Sequence, residues 1–159
     1  AGQLLGCPVS WYGMNARWYG PLEREARRVH GMRLTSQLRK GRQLVYEHSG
    51  LEVPGRADVP ARVVFYADPP YATYGLPPQD YPRVFADPGA RSKHRMPSDD
   101  ALCLYAPFVP PAERWTSSQG LLVLLNLVVD HLFSEMTWRE TGLWPLPESP
   151  HGLPEEWDQ

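Results

Sequence analysis

The sequence predicts an α+β domain, and three observations carry that reading. A short amphipathic helical pattern comes first. A cluster of strand patterns separated by turn residues follows, and then a single long run that is apolar on most sides. The 159 residues, 42% hydrophobic and 21% charged, suffice for one domain (1–159) that buries its own core without staples. We place that core at about residues 20–135, with a loop-rich tail over 136–159.

Residues 1–19 lack clear periodicity, although Trp11, Tyr12, Trp18 and Tyr19 supply aromatic mass that packs on something. Gly20-Pro21 opens a helix, with proline where its missing N–H costs nothing. Leu22, Ala26 and Val29 fall on one face, charged residues cover the rest, and Gly31 ends the helix. Met32 to Leu38 alternates as a strand. Gln43 to His48 follows a Lys40-Gly41 turn, so the two read as a hairpin. Ala61 to Ala67 contains Val63-Val64-Phe65-Tyr66, suited to a central strand buried on both faces.

The prolines of residues 68–82 admit a polyproline linker. The interleaved tyrosines and the immediate return to a strand pattern at Arg83 to Ala86 favour a loop folded onto the domain. Residues 106–114 form a second proline-containing loop. Thr116, Ser117 and Ser118 are candidate N-caps, with Gln119 completing a capping box. From about 118 to 135 the run holding Leu121, Leu122, Leu124, Leu125, Val128, Val129, Leu132 and Phe133 reads as a buried central helix.

A net charge of −2 gives no electrostatic case for nucleic acid or for an anionic membrane. The longest apolar run, Leu121 to Val129, is too short to span a bilayer. With no signal peptide, the two cysteines, Cys7 and Cys103, read as free thiols in a reducing cytoplasm. The histidines and cysteines show no paired-ligand spacing for a metal, and no glycine-rich loop offers to hold ATP, so no cofactor is expected.

Pro77-Pro78-Gln79-Asp80-Tyr81-Pro82, Leu102-Cys103-Leu104 and Trp115-Thr116, the last followed by Leu121, Leu122, Leu124 and Leu125, stand in a telling order. They resemble the proline-tyrosine-proline segment, the active-site triplet and the central-helix start of ubiquitin-conjugating enzymes. The resemblance covers residues 20–135. It implies a four-stranded antiparallel meander with an N-terminal helix and a buried central helix. It also implies that Cys103 carries a protein C-terminus as a thioester and passes it to an amine. His94 stands nine residues before Cys103, near the place of that family's histidine-proline-asparagine motif, but Arg95 and Met96 replace the proline and asparagine. The oxyanion donor then falls to a backbone N–H near Cys103 or to the Ser98 hydroxyl. With the unusual C-terminal segment, these departures resemble the bacterial branch associated with cyclic-oligonucleotide antiphage operons. The implied partner is a protein with a C-terminal tail, either a CD-NTase-type nucleotidyltransferase or a ubiquitin-like protein. Its acyl group must arrive activated, from an adenylating enzyme or another energised source.

The expected site is therefore Cys103 as nucleophile and His94 beside it, in a catalytic or a structural role. Asp99 and Asp100 either orient the incoming ammonium and take its proton or serve as turn residues. Lys93, His94 and Arg95 supply a cationic field that depresses the thiol. Glu148 and His151 are candidates to fold back from the tail. Trp115 is a packing residue at the helix start. Two other readings stand beside this one: a non-catalytic binding module of the same fold, and an unrelated cysteine hydrolase with a cysteine–histidine pair in contact.

Overall fold

Four strands form one antiparallel sheet, in the spatial order in which they occur in sequence: β1 (Leu34–Arg39), β2 (Gln43–Leu51), β3 (Val59–Tyr66) and β4 (Arg83–Ala86). The computed structural model describes residues 19–29, 34–39 and 43–148. The α+β class expected from the element order is what this architecture has. Arg39 of β1 pairs with Gln43 of β2, and Leu44 and Val45 lie opposite Phe65 and Val64 on β3. Val45, Val63 and Val64 are all buried, so the middle of the sheet is covered on both faces, as its β-branched run requires. The β2–β3 register shifts between His48 and Leu51. There the Gly50 N–H donates to His48 Nδ1 at 3.1 Å.

Two helices complete the fold. Helix α1 (Gly20–Val29) buries Leu22 and Ala26 and leaves Arg24, Arg27 and Arg28 outside. Helix α2 (Leu121–Thr141) buries Leu121, Leu124, Leu125, Val128 and Leu132. These positions recur at the three- and four-residue spacing of a single helix face. By length and composition α2 is the one helix among the described residues apolar enough to cross a membrane. Its apolar face is instead packed into the core with Tyr46, Phe65 and Trp115.

The helix starts later and runs further than the expected 118–135. Residues Ser117–Gln119 form a separate 3-10 turn, with the Thr116 N–H donating to Gln119 Oε1 at 3.2 Å. Gly120, at φ 92°, turns the chain into α2. The first N–H groups of α2 are capped from elsewhere: Glu25 on α1 accepts from the Leu121 and Leu122 N–H groups, both at 2.8 Å. A carboxylate at that end also meets the positive pole of the helix. At the far end, Gly142 in the left-handed region donates its N–H to the Trp138 carbonyl at 2.8 Å.

The proline-rich segment 68–82 is folded onto the domain. The Tyr71 hydroxyl donates to the Tyr81 carbonyl at 2.6 Å, and the Tyr105 hydroxyl to the Asp80 carbonyl at 2.7 Å. Tyr66, Tyr71, Tyr81 and Tyr105 stand in sequence, with successive ring centroids 5.6, 5.8 and 6.0 Å apart. Edge-to-face and tilted aromatic contacts of this kind fix ring orientation as well as burying area. Trp115 lies under them, 6.3 Å from Tyr105 and 6.4 Å from Phe65, and donates its indole N–H to the Gly120 carbonyl at 2.9 Å. The expected packing role of Trp115 is its observed one.

Candidate active site

Beyond β4 the chain doubles back in a small hairpin, and this hairpin positions the thiol. The Leu102 N–H donates to the Val84 carbonyl of β4 at 2.8 Å. Arg95 and Leu102 form an antiparallel bridge, the Met96 N–H donates to the Ala101 carbonyl at 2.8 Å, and the Cys103 N–H donates to the His94 carbonyl at 2.9 Å. The turn between the strands is held by Asp99, whose Oδ1 accepts from the Ala101 N–H at 3.1 Å, and by Asp100 at φ 65°. Aspartate tolerates this region because its short side chain bonds locally. Leu102 points into the core. Cys103, the next residue along an extended chain, therefore sits at the border of the interior, half-buried.

Cys103 and His94 line the same cleft, a space of about 260 Å³. Its other walls come from α2 (Leu127, Asp130, His131, Ser134) and from the segment after α2 (Trp144, Leu146, Pro147, Glu148). His94 is buried and donates through Nε2 to Glu148 Oε2 at 2.8 Å. Lys93 Nζ donates to the other oxygen of Glu148 at 2.7 Å. Burial pushes the Glu148 carboxyl up, but the bonds from Lys93 and His94 outweigh this and hold it below the usual range. The Trp144 ring meets both imidazoles edge-on, His94 at 4.5 Å and His131 at 5.2 Å between centroids.

Behind the cleft lies a buried ionic network. Glu135 is fully buried. Arg95 grips it with two bonds, Nε to Oε2 at 2.7 Å and Nη2 to Oε1 at 2.9 Å, and His131 Nε2 reaches Oε2 at 3.1 Å. Burial alone would raise the Glu135 carboxyl, but the bonds from Arg95 and His131 bring it down to about 2. It is an anion at any ordinary pH.

The electrostatics of the thiol differ from the sequence expectation. Burial is the dominant influence and pushes the Cys103 thiol up to about 11. Arg83 opposes this and Asp99 reinforces it. The expected depression by Lys93, His94 and Arg95 is not what the fold delivers. Lys93 and His94 are turned to Glu148, and Arg95 is spent on Glu135 and Asp100. The cation that does act on the sulfur, Arg83, is buried on β4, with its Nε 3.1 Å from Asp99 Oδ2 and its guanidinium 3.9 Å above the Tyr71 ring.

Of the four expected site residues, the fold thus brings Cys103 and His94 to one cleft. Asp99 acts on the thiol through space and through Arg83, but does not line the cleft. Asp100 is turned away: its Oδ2 accepts from the Gly89 N–H at 2.9 Å and from Arg95 Nη1 at 3.1 Å. Ser98 is on the exposed turn. Glu148 does fold back, whereas His151 and Cys7 lie outside the described residues. Sequence reading missed Asp130, His131 and Glu135, absorbed into the long apolar run. Their signal was present, since ionisable residues in such a run are rarely buried without a purpose and His131 and Glu135 sit four apart. Among the described residues, no group of three or more histidine, cysteine or acidic side chains is arranged to hold a metal ion. No protein-family model, curated protein or solved structure matches the chain.

Proposed function

We propose that this protein is a cysteine-dependent acyl carrier of the ubiquitin-conjugating type. In this reading Cys103 accepts a protein C-terminus as a thioester and transfers it to an amine. The observation that carries the reading is Cys103 itself, half-buried on the wall of an open cleft and faced there by two histidines and two carboxylates. The helix, antiparallel meander and second helix are compatible with the resemblance read from the Leu102-Cys103-Leu104 and Trp115-Thr116 motifs.

The chemistry follows from the thiol's environment. In loading, Cys103 sulfur attacks an activated acyl carbon, the bond from that carbon to its carrier breaks, and the Cys103 proton leaves with the carrier. In transfer, an amine nitrogen attacks the thioester carbon, the carbon–sulfur bond breaks, and one amine proton ends on Cys103. The burial that raises the thiol to about 11 penalises anionic sulfur and not a neutral thioester. Such a site stores an acyl group and releases it only when a proton reaches the departing sulfur. The donor is a CD-NTase-type nucleotidyltransferase or a ubiquitin-like protein, energised by an adenylating enzyme, and the setting is bacterial antiphage defence in the cytoplasm.

Incubation with such a nucleotidyltransferase, an adenylating enzyme and ATP tests the reading. A reductant-sensitive adduct forms on the wild-type chain and not on Cys103→Ala. No adduct in either overturns it.

A non-catalytic binding module of the same fold is the second reading. The same raised thiol favours it, because only about one sulfur in ten thousand is thiolate at neutral pH when the pKa is about 11. The exposed Tyr74–Phe108 edge-to-face pair, 5.4 Å between centroids, would then be the contact surface. Cys103→Ala retains full activity in cells under this reading alone.

A further inference from the structure

We propose that His131 is the proton acceptor for the amine that attacks a Cys103 thioester, with Glu135 and Arg95 as positioning residues behind it. The inference rests on the thioester-carrier reading and concerns residues that the family motifs do not include.

His131 lies at the middle of α2, on the cleft wall shared with Cys103. A histidine on a buried helix face usually serves packing, but three features of this one point to chemistry. Its Nε2 is 3.1 Å from Glu135 Oε2, and an ionised carboxylate can only accept, so Nε2 carries a proton and Nδ1 is the nitrogen that acts as base in the neutral imidazole. Glu135 is itself locked by the two-point grip of Arg95 at 2.7 and 2.9 Å, so the imidazole has a fixed tautomer and a fixed orientation. A nucleophile's partner base, oriented by a third group, is the arrangement that proton transfer at a covalent centre requires. Finally, Asp130 beside it lines the same cleft, is exposed, and makes no ion pair among the described residues. It is a site for an incoming ammonium.

Transfer then balances as follows. Asp130 holds the acceptor ammonium near the cleft, and the ammonium gives one proton to solvent and reacts as the neutral amine. As its nitrogen bonds to the thioester carbon, the proton lost from nitrogen passes to His131 Nδ1, and Glu135 stabilises the imidazolium. As the carbon–sulfur bond breaks, His131 returns that proton to Cys103 sulfur. An amide and a thiol result, and no oxidant or metal takes part. The charged and titratable groups that line the cleft with His131 are Asp130 on α2, His94 and Cys103 of the hairpin and Glu148 across the cleft; Glu135 is bonded to His131, and Arg95 and Arg139 stand behind it on Glu135.

The test loads purified chain with a glycine-terminated peptide thioester of mercaptoethanesulfonate. Loading is read by intact mass, and discharge is then followed to methoxyamine, which is unprotonated across the pH range used. The expected wild-type discharge rate rises with pH as the base loses its proton and then levels. His131→Gln loads normally but discharges about 100-fold more slowly, without that inflection, and His131→Ala regains rate with added imidazole. Glu135→Gln shifts the inflection, whereas His94→Gln keeps it. A wild-type chain that does not load overturns the carrier reading and this inference with it. A chain that loads, but whose wild-type profile is flat with pH, overturns the His131 assignment alone, whether or not the variants fold. Wild-type discharge by His131→Gln has the same consequence.

Discussion

Cys103 and Glu135 are both withdrawn from water, and they respond in opposite directions because only one of them is given partners. The thiol has no donor strong enough to offset burial, so it rises to about 11. Its alkylation by iodoacetamide is therefore expected to climb steadily from neutral pH towards 11, without the plateau of a depressed cysteine. Arg83→Gln removes the opposing cation and slows labelling at a given pH by roughly three- to tenfold. A plateau near neutral pH in the wild-type chain would contradict this. Glu135 falls instead from the usual 4.5 to about 2 under the bonds from Arg95 and His131. A depressed carboxyl contributes stability that is present above its unfolded value and lost as pH falls through its folded one. The contribution is on the order of 3 kcal/mol at neutral pH, and it disappears between about 4.5 and 2. Denaturant midpoints of wild type and Glu135→Gln measured against pH should converge over that window. At neutral pH, Arg95→Ala should cost roughly 3–5 kcal/mol, because it strands a buried anion.

Among the elements, the strands were the most legible in the sequence and the caps the least. Alternation, β-branched runs and turn residues located all four strands to within a few positions, since these signals are carried by neighbouring residues of each segment. Helix α2 was legible as apolar and buried, but its start was not. Thr116 and Gln119 do form a capping pair, yet it serves the 3-10 turn. The cap of α2 is Glu25, whose Leu121 bond spans 96 residues of chain, and no local pattern announces a cap supplied by another helix. Glu25→Ala should lower stability by about 1–2 kcal/mol, read from a urea transition, with Glu25→Gln intermediate. Gly120→Ala should cost more than Glu25→Ala. A Cβ there would lie 2.5 Å from Glu25 Oε2, and φ of 92° is strained for any L side chain.

Across the whole molecule, the cleft is assembled from three stretches distant in sequence: the 94–103 hairpin, the middle of α2 and residues 144–148. The last of these closes it. Trp144 packs on both imidazoles, and Glu148 ties back to Lys93 and His94. Trp144→Ala should therefore open the thiol, raising its rate of modification by a bulky maleimide several-fold more than by iodoacetamide. Equal effects on the two reagents would show that Trp144 does not screen the sulfur. Residues 68–82 teach the same lesson about scale. The interleaved tyrosines favoured a folded loop over a linker, and the tyrosine ladder from Tyr66 to Tyr105 holds that loop on the domain.

By itself the sequence determined the class of elements and their order, and it singled out Cys103 as the candidate thiol. Periodicity, turn residues and a short motif are properties of neighbouring positions. Only the tertiary structure decided what faces that thiol. Arg83 rather than the hairpin's own cations acts on it, His131 and Glu135 emerge from an apolar helix, and Asp100 turns away to Arg95. The reason is physical: the charge state of a buried group depends on distances of a few ångströms between residues that lie tens of positions apart.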